Sequence, residues 1–388
     1  MLSIGRGVAI GHVMVKNVKR PAQDETFSSW LYRVSMTRSA SDYNAFTMAL
    51  KAMIRRRRRA PETVLASQGS DQWPWESTDI DYDMHVIREV IGKYLSSFDV
   101  KQDYFASFFS LVVPHNMRNH YCPECLREDI TAIEFPYWRK AWTYCMTAYC
   151  YQHKRLLVTM RSGPSTYDRA WQAFKEEAFD SPSNAFRVMR DRLAIRVQRW
   201  YFGRPSFNTL GLENTQSTRA LFDLTYSLLL KRRTRFEEGG YACALARENR
   251  GQVTPKSMPL TERIQTGVSI SSPLQRAYAL ILTGMILGLI LPSQISSFVG
   301  LAKQSGVPWP STPFVIGKMA ILYSNREEYL ELRKLYSATP PDLIAQCAEF
   351  FRGLEHAVYS LRDEYSSQDR LWLESGTPHQ RWLVFPDL

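Results

Sequence analysis

Two short runs carry the strongest chemical signal in the chain: Cys122-Pro-Glu-Cys125 and, after 24 intervening residues, Cys150-Tyr-Gln-His153. Two donors three residues apart can both point inward from one tight turn, and two such turns complete a tetrahedron around zinc. The expected cofactor is therefore one structural zinc ion held by Cys122, Cys125, Cys150 and His153. Four protein ligands close the coordination sphere, whereas catalytic zinc keeps a position for water, and no H-E-x-x-H motif lies nearby. Cys145 competes for the place of Cys150, although its spacing is looser and it lies in an aromatic stretch with Trp138, Trp142 and Tyr144. His115 and His120 read as loop or supporting residues rather than ligands.

Arg55, Arg56, Arg57, Arg58 and Arg59 are consecutive and must be counter-charged. The counter-charge is either nucleic-acid phosphate or the acids Asp71, Glu76, Asp79, Asp81 and Asp83; the sequence leaves both open. These five arginines are the candidate residues for a nucleic-acid or partner contact. Arg187, Arg190, Arg192, Arg196, Arg199 and Arg204 form a second basic segment among Phe186, Trp200, Tyr201 and Phe202, aromatics that read as core rather than as stacking platforms. No phosphate-cradling loop, nucleophile elbow or patterned acid triad is evident, so no catalytic residue is assigned and the chain does not read as an enzyme.

The elements that must position these residues read as mainly helical. The chain has 388 residues, is 45% hydrophobic and carries a formal charge of +11, which excludes wholesale disorder and favours acidic partners. Charge is uneven: residues 1–60 hold 12 Lys/Arg against 3 Asp/Glu (net +9), and residues 61–100 hold 2 against 8 (net −6). Four of the six cysteines cluster, which suggests metal binding in a reducing compartment, and a cytoplasmic location is expected. No secretory signal is read. Ala277–Leu291 is 15 residues of apolar run, too short for a span of about 20, so it reads as a core helix and no membrane association is expected.

Phe27, Trp30, Leu31 and Val34 recur at helical spacing in a helix that begins after Asp24, with Asp24 as cap and Glu25 complementing the dipole. Phe27, Trp30 and Leu31 are expected to be core anchors. Further helices are read near 41–59 and 84–98, and then over 184–201, 218–235, 273–291, 326–335 and 341–361. The expected divisions are an N-terminal extension (1–20), a helix-turn-helix-like N-terminal domain (21–112), a zinc-binding segment (113–180) and a helical C-terminal domain (181–388).

Two segments together resemble the TniQ/TnsD family of transposition proteins. Asp24-Glu25-Thr26-Phe27-Ser28-Ser29-Trp30-Leu31 with Arg33 is similar to the family's amino-terminal signature. Tyr121-Cys122-Pro123-Glu124-Cys125-Leu126, then Tyr137-Trp138, then Cys150-x-x-His153 with Leu156 and Leu157, is similar to its zinc segment. The resemblance implies a non-catalytic targeting protein that links a target selector to the AAA+ ATPase TnsC, which recruits the transposase for DNA integration. In TnsD-like members the selector is the protein's own binding to attachment-site DNA. In the CRISPR-associated branch a TniQ homodimer sits on the protein subunits of the crRNA-bearing Cascade, and target DNA is met indirectly. A length near 390 is similar to the Cascade-bound type. The sequence departs from the family in having no cysteine between His153 and Cys243, and in the residues that precede Pro21. Met14 would be a more family-like start, so residues 1–13 are expected to be an over-extended start or a flexible tail.

Overall fold

The stripe of Phe27, Trp30, Leu31 and Val34 is wholly buried in the computed structural model of the chain, which describes residues 20–36, 79, 81–84, 87–88, 102–105, 107, 111–161, 168–176, 183–203, 215–233, 239–248, 258–321 and 326–359. The expected contact residues Arg55, Arg56, Arg57, Arg58 and Arg59, with the helix read near 41–59, lie outside the described residues. So do most of the helix read over 84–98, Arg204 and residues 1–13. The described residues are mainly helical, in two units. One comprises residues 1–144 and 157–179, the other 145–156 and 180–388.

In the first unit, helix α1 (Phe27–Ser35) packs Phe27 and Trp30 against Phe105, with ring centroids 4.8 and 5.7 Å apart. The helix starts later than the sequence suggests, with Thr26 at the N-cap and no side-chain cap bond. Asp24 is drawn instead to the amide of Ala141. Glu25, rather than facing the dipole from solvent, is fully buried and ion-paired to Arg33 at 2.5 Å. The free amide of the first turn is served from a distance, since Ser28 N donates to Asp81 Oδ1 at 2.7 Å. Two short strands, β1 (His120–Tyr121) and β2 (Val158–Thr159), pair antiparallel with His120 opposite Thr159 and Tyr121 opposite Val158. Among the described residues this unit also holds helices α2 (Pro123–Ile133) and α3 (Arg169–Lys175) and three short 3-10 helices, Gln102–Phe105, His115–Met117 and Lys140–Thr143.

The second unit contains α4 (Ala185–Tyr201), α5 (Gln216–Leu229), α6 (Tyr241–Ala246), α7 (Leu260–Ile270), α8 (Pro273–Ile286), α9 (Pro292–Gln304), α10 (Pro313–Ala320), α11 (Arg326–Tyr336), α12 (Pro341–Gln346) and α13 (Ala348–Tyr359). Helix α8 holds the longest apolar run and buries 12 of its 14 residues. Its start is fixed by Ser272 and Gln275, which cap one another reciprocally, and by Pro273 at the first helical position. It stops before Leu291 because Gly288 turns left-handed (φ 66°) and Pro292 opens the next helix. The single helix expected over 341–361 is two, broken at Cys347, whose amide bonds back to Leu343 and Ile344. Helices α10 and α13 cross at backbone contact. A Cβ on Gly317 would lie 2.1 Å from the Phe350 carbonyl oxygen, and one on Gly353 would lie 2.1 Å from that of Phe314. No helix among the described residues is long and apolar enough to cross a membrane.

Candidate metal centre

The pairing of β1 with β2 places the residue after Tyr121 close to the residues that lead into Val158. Cys122 follows β1 directly and serves as the N-cap of α2; Pro123 is the first helical residue and Cys125 the third. Both thiols therefore belong to the first helical turn, where the free amides and the positive end of the dipole favour thiolate. The second pair lies on a reversed turn. Tyr149 bridges Leu156, Cys150 N donates to Arg155 O, Lys154 N donates to Cys150 O, and Lys154 adopts a left-handed φ of 53° to close the loop.

One ligand atom each from Cys122, Cys125, Cys150 and His153 all lie within 4.8 Å of one another. The three cysteines are buried and His153 is half-buried. None of the six cysteines is in a disulfide. The donor chemistry fits one metal ion. Cys150 Sγ lies 3.6 Å from His153 Nδ1, and a tetrahedral zinc with ordinary bond lengths sets that edge at about 3.5 Å. Three thiolates on a divalent ion leave one net negative charge, and the Arg139 guanidinium interacts favourably with Cys125. Four protein donors leave no place for a substrate or an activated water, so the geometry can brace a fold but offers no open Lewis-acid position.

The competitor Cys145 is not in this cluster. It is buried, and its carbonyl accepts the Tyr226 hydroxyl at 2.9 Å. His120 lies in β1. His115 belongs to a separate group with Asp79 and Asp81. There Arg118 Nη1 bonds Asp81 at 2.6 Å, Asp79 at 3.0 Å and His115 Nδ1 at 3.2 Å, so a guanidinium already occupies the centre that a metal would need. These acids were candidates to neutralise Arg55, Arg56, Arg57, Arg58 and Arg59; Asp81, 1% exposed, is committed to Arg118 and Ser28. Three aromatics of the second basic segment, Phe186, Trp200 and Tyr201, are core, while Phe202 is half-buried. Phe186 stacks on Phe298, and Trp200 and Tyr201 lie against Phe222.

Sequence reasoning missed the residues that hold the second ligand turn. Gln198 of α4 bonds the amides of Ala148 and Tyr149 and the Tyr149 carbonyl, while the Tyr149 hydroxyl donates to Asp191 at 2.7 Å. Nothing in the local pattern marks a helix-borne glutamine as the partner of a loop about 50 residues away.

Residues 18–157 match the TniQ family model, a little over a third of the 388-residue chain. No curated protein and no solved structure matches the chain. The matched span contains α1 with its buried aromatic stripe and all four members of the thiol–imidazole cluster. That span matches a TniQ domain, the domain of a family of transposition-associated targeting proteins, and the match supports TniQ membership.

Proposed function

We propose that this protein is a non-catalytic transposition adaptor that links an RNA-guided Cascade complex to the TnsC-type AAA+ ATPase and so directs DNA integration. The TniQ match over residues 18–157 carries the reading, and it is supported by a cysteine–histidine set with four protein donors and no open position. Under this reading zinc is the resident ion, held by Cys122, Cys125, Cys150 and His153. It acts as a brace because ligation energy in such small sites is folding energy. The chain works in the cytoplasm as a homodimer on Cascade protein subunits. Arg55, Arg56, Arg57, Arg58 and Arg59 supply an electrostatic contact to a partner, and Phe27, Trp30 and Leu31 anchor the N-terminal domain rather than touching a partner. The working division is 21–112, 113–180 and 181–388.

Co-purification of the tagged full chain with crRNA-loaded Cascade tests the adaptor role; retention through stringent washing is the expected result. The alternative is a TnsD-like protein that selects its attachment site by binding DNA. Clean separation from Cascade, together with strong preference for one duplex site at physiological salt, would replace the first reading with the second.

A further inference from the structure

Arg139 is fixed through its main chain and its side chain alike. It bridges Glu25 in antiparallel fashion, and on either side of it Thr26 N donates to Trp138 O at 2.9 Å and Lys140 N donates to Asp24 O at 2.7 Å. Its guanidinium donates two bonds to Asp129, at 2.8 and 2.7 Å, and lies over the rings of Tyr137 and Trp142, 4.4 and 5.2 Å from their centroids. Both members of the pair are buried. A guanidinium forked on a carboxylate and stacked on aromatic faces is already ordered, so it loses little further freedom in serving a third group.

That third group is on α2. Asp129 follows Cys125 by four residues and so shares its face of the helix. The clamp therefore holds the Arg139 charge along the face that carries Cys125, with which it interacts favourably. The surroundings need a cation. Glu124 Oε2 lies 3.3 Å from Cys122 Sγ, and Asp129 adds a second carboxylate to the same short helix. Arg127 pairs with Glu124 from the surface, 63% exposed, where solvent screens its charge. Loading zinc onto three thiols and a neutral imidazole releases three protons and takes the donor set from neutral to a net charge of −1. A fixed, buried cation favours that loaded form over the empty one.

We propose that Arg139 is a positioning residue of the metal centre: its guanidinium supplies the counter-charge that keeps three thiolates on the ion, and Asp129 serves to aim it. The inference rests on the metal reading of Cys122, Cys125, Cys150 and His153, and it adds to that reading a residue outside the ligand set. A merely structural ion pair would behave differently under mutation. Losing either partner would then loosen the ligand helix and weaken zinc binding alike. As a counter-charge, Arg139 is required, whereas the Asp129 carboxylate opposes the thiolates. Only the loss of Arg139 should then release the ion.

The test compares Arg139→Met, Arg139→Lys and Asp129→Asn in the full chain, after elemental analysis has measured zinc per chain in the wild type. Zinc affinity is read by competition with a chromophoric chelator at constant pH, and fold stability by urea midpoint. The charge-transfer band of the cobalt-substituted protein reports on the thiolates directly. Arg139→Met should lose about 10–100-fold in zinc affinity. It should also move the sulfur-to-cobalt band to longer wavelength, because sulfur electrons no longer held by a cation are excited at lower energy. Arg139→Lys should recover part of both, since it restores the charge without the fork. Asp129→Asn should match or exceed wild-type zinc affinity even where its urea midpoint falls, because the two rings and one remaining bond still hold the guanidinium. A loss of about tenfold or more in Asp129→Asn, an unmoved cobalt band in Arg139→Met, or wild-type zinc affinity in that variant would each overturn the assignment. A wild-type chain that holds no zinc would overturn the metal reading itself, and this inference with it.

Discussion

Gln198 holds Tyr149 as a neighbouring strand would: its Nε2 donates to the Tyr149 carbonyl at 2.9 Å and its Oε1 accepts the Tyr149 amide at 3.0 Å. The same oxygen accepts the Ala148 amide at 2.8 Å, and all three residues are essentially buried. One side chain thus satisfies three backbone groups just ahead of the ligand Cys150. Gln198→Ala leaves them unpaired away from water and should cost about 2–4 kcal/mol. Gln198→Glu keeps the acceptor, loses the donor and adds a buried charge, so it should not rescue stability. Urea midpoints and the rate of metal loss to a chelator measure the two effects; normal values for Gln198→Ala would show that the ligand turn is held some other way.

Because the four donors belong to two turns, removing the ion should loosen both. One zinc per chain is expected by elemental analysis of native material, and close to none after Cys122→Ser. Chelation, or that substitution, should lower the melting temperature of the segment around 115–160. The ion should also be lost on acidification, since protons compete for the three thiolates and the imidazole. A metal-free native protein with an unchanged melting curve would contradict the brace.

Asp81 joins α1 to the chain around Arg118. It accepts the Ser28 amide at 2.7 Å and Arg118 at 2.6 Å, with His115 Nδ1 at 3.4 Å. Burial pushes its carboxyl up, but the bond to His115, the Arg118 charge and the Ser28 amide outweigh it and hold the group well below the usual carboxylate range. A depressed acid contributes stability that is present above its unfolded value, near pH 4, and is lost as pH falls toward the folded value. Asp81→Asn should therefore destabilise the fold at neutral pH, by about 1–3 kcal/mol, because it strips the buried Arg118 guanidinium of one of its two carboxylate partners and leaves only Asp79. The deficit should shrink in strong acid. Pairing the change with Arg118→Met in a double-mutant cycle should give much less than the sum of the two losses; simple additivity would show that the pair is not coupled.

What was legible in the sequence was local. The thiol–imidazole set could be read because each pair spans a single turn, and α8 because its long apolar run lies between Pro273 and Pro292, although its end before the left-handed Gly288 was not read. Asn184, which accepts the Arg187 amide at 2.8 Å, marks the start of α4 in the same local way. The rest depends on partners distant in sequence. Asp24 looked like a helix cap but is claimed by Ala141, 117 residues away, while the cap bond comes from Asp81. The break at Cys347 could not be read either, since the sequence there holds neither glycine nor proline and remains amphipathic on both sides.

Asp223 should make the second unit more stable in mild acid than at neutral pH. Burial pushes its carboxyl up to about 6, against the opposing bond from Tyr201 and the charge of Arg219, and its Oδ1 has no hydrogen-bond partner. A raised acid binds its proton more tightly in the folded chain than in the unfolded one. The cost of ionising it is therefore complete above pH about 6 and is relieved as pH falls from about 6 toward about 4, by about 2–3 kcal/mol in total. Asp223→Asn removes the charge while keeping an oxygen for the Tyr201 hydroxyl. The variant should exceed the wild type in urea midpoint near neutral pH, and the two should converge as the pH falls to about 4. An asparagine variant that is less stable at neutral pH would reverse the sign. It would mean that Tyr201 and Arg219 together stabilise the carboxylate by more than its burial costs.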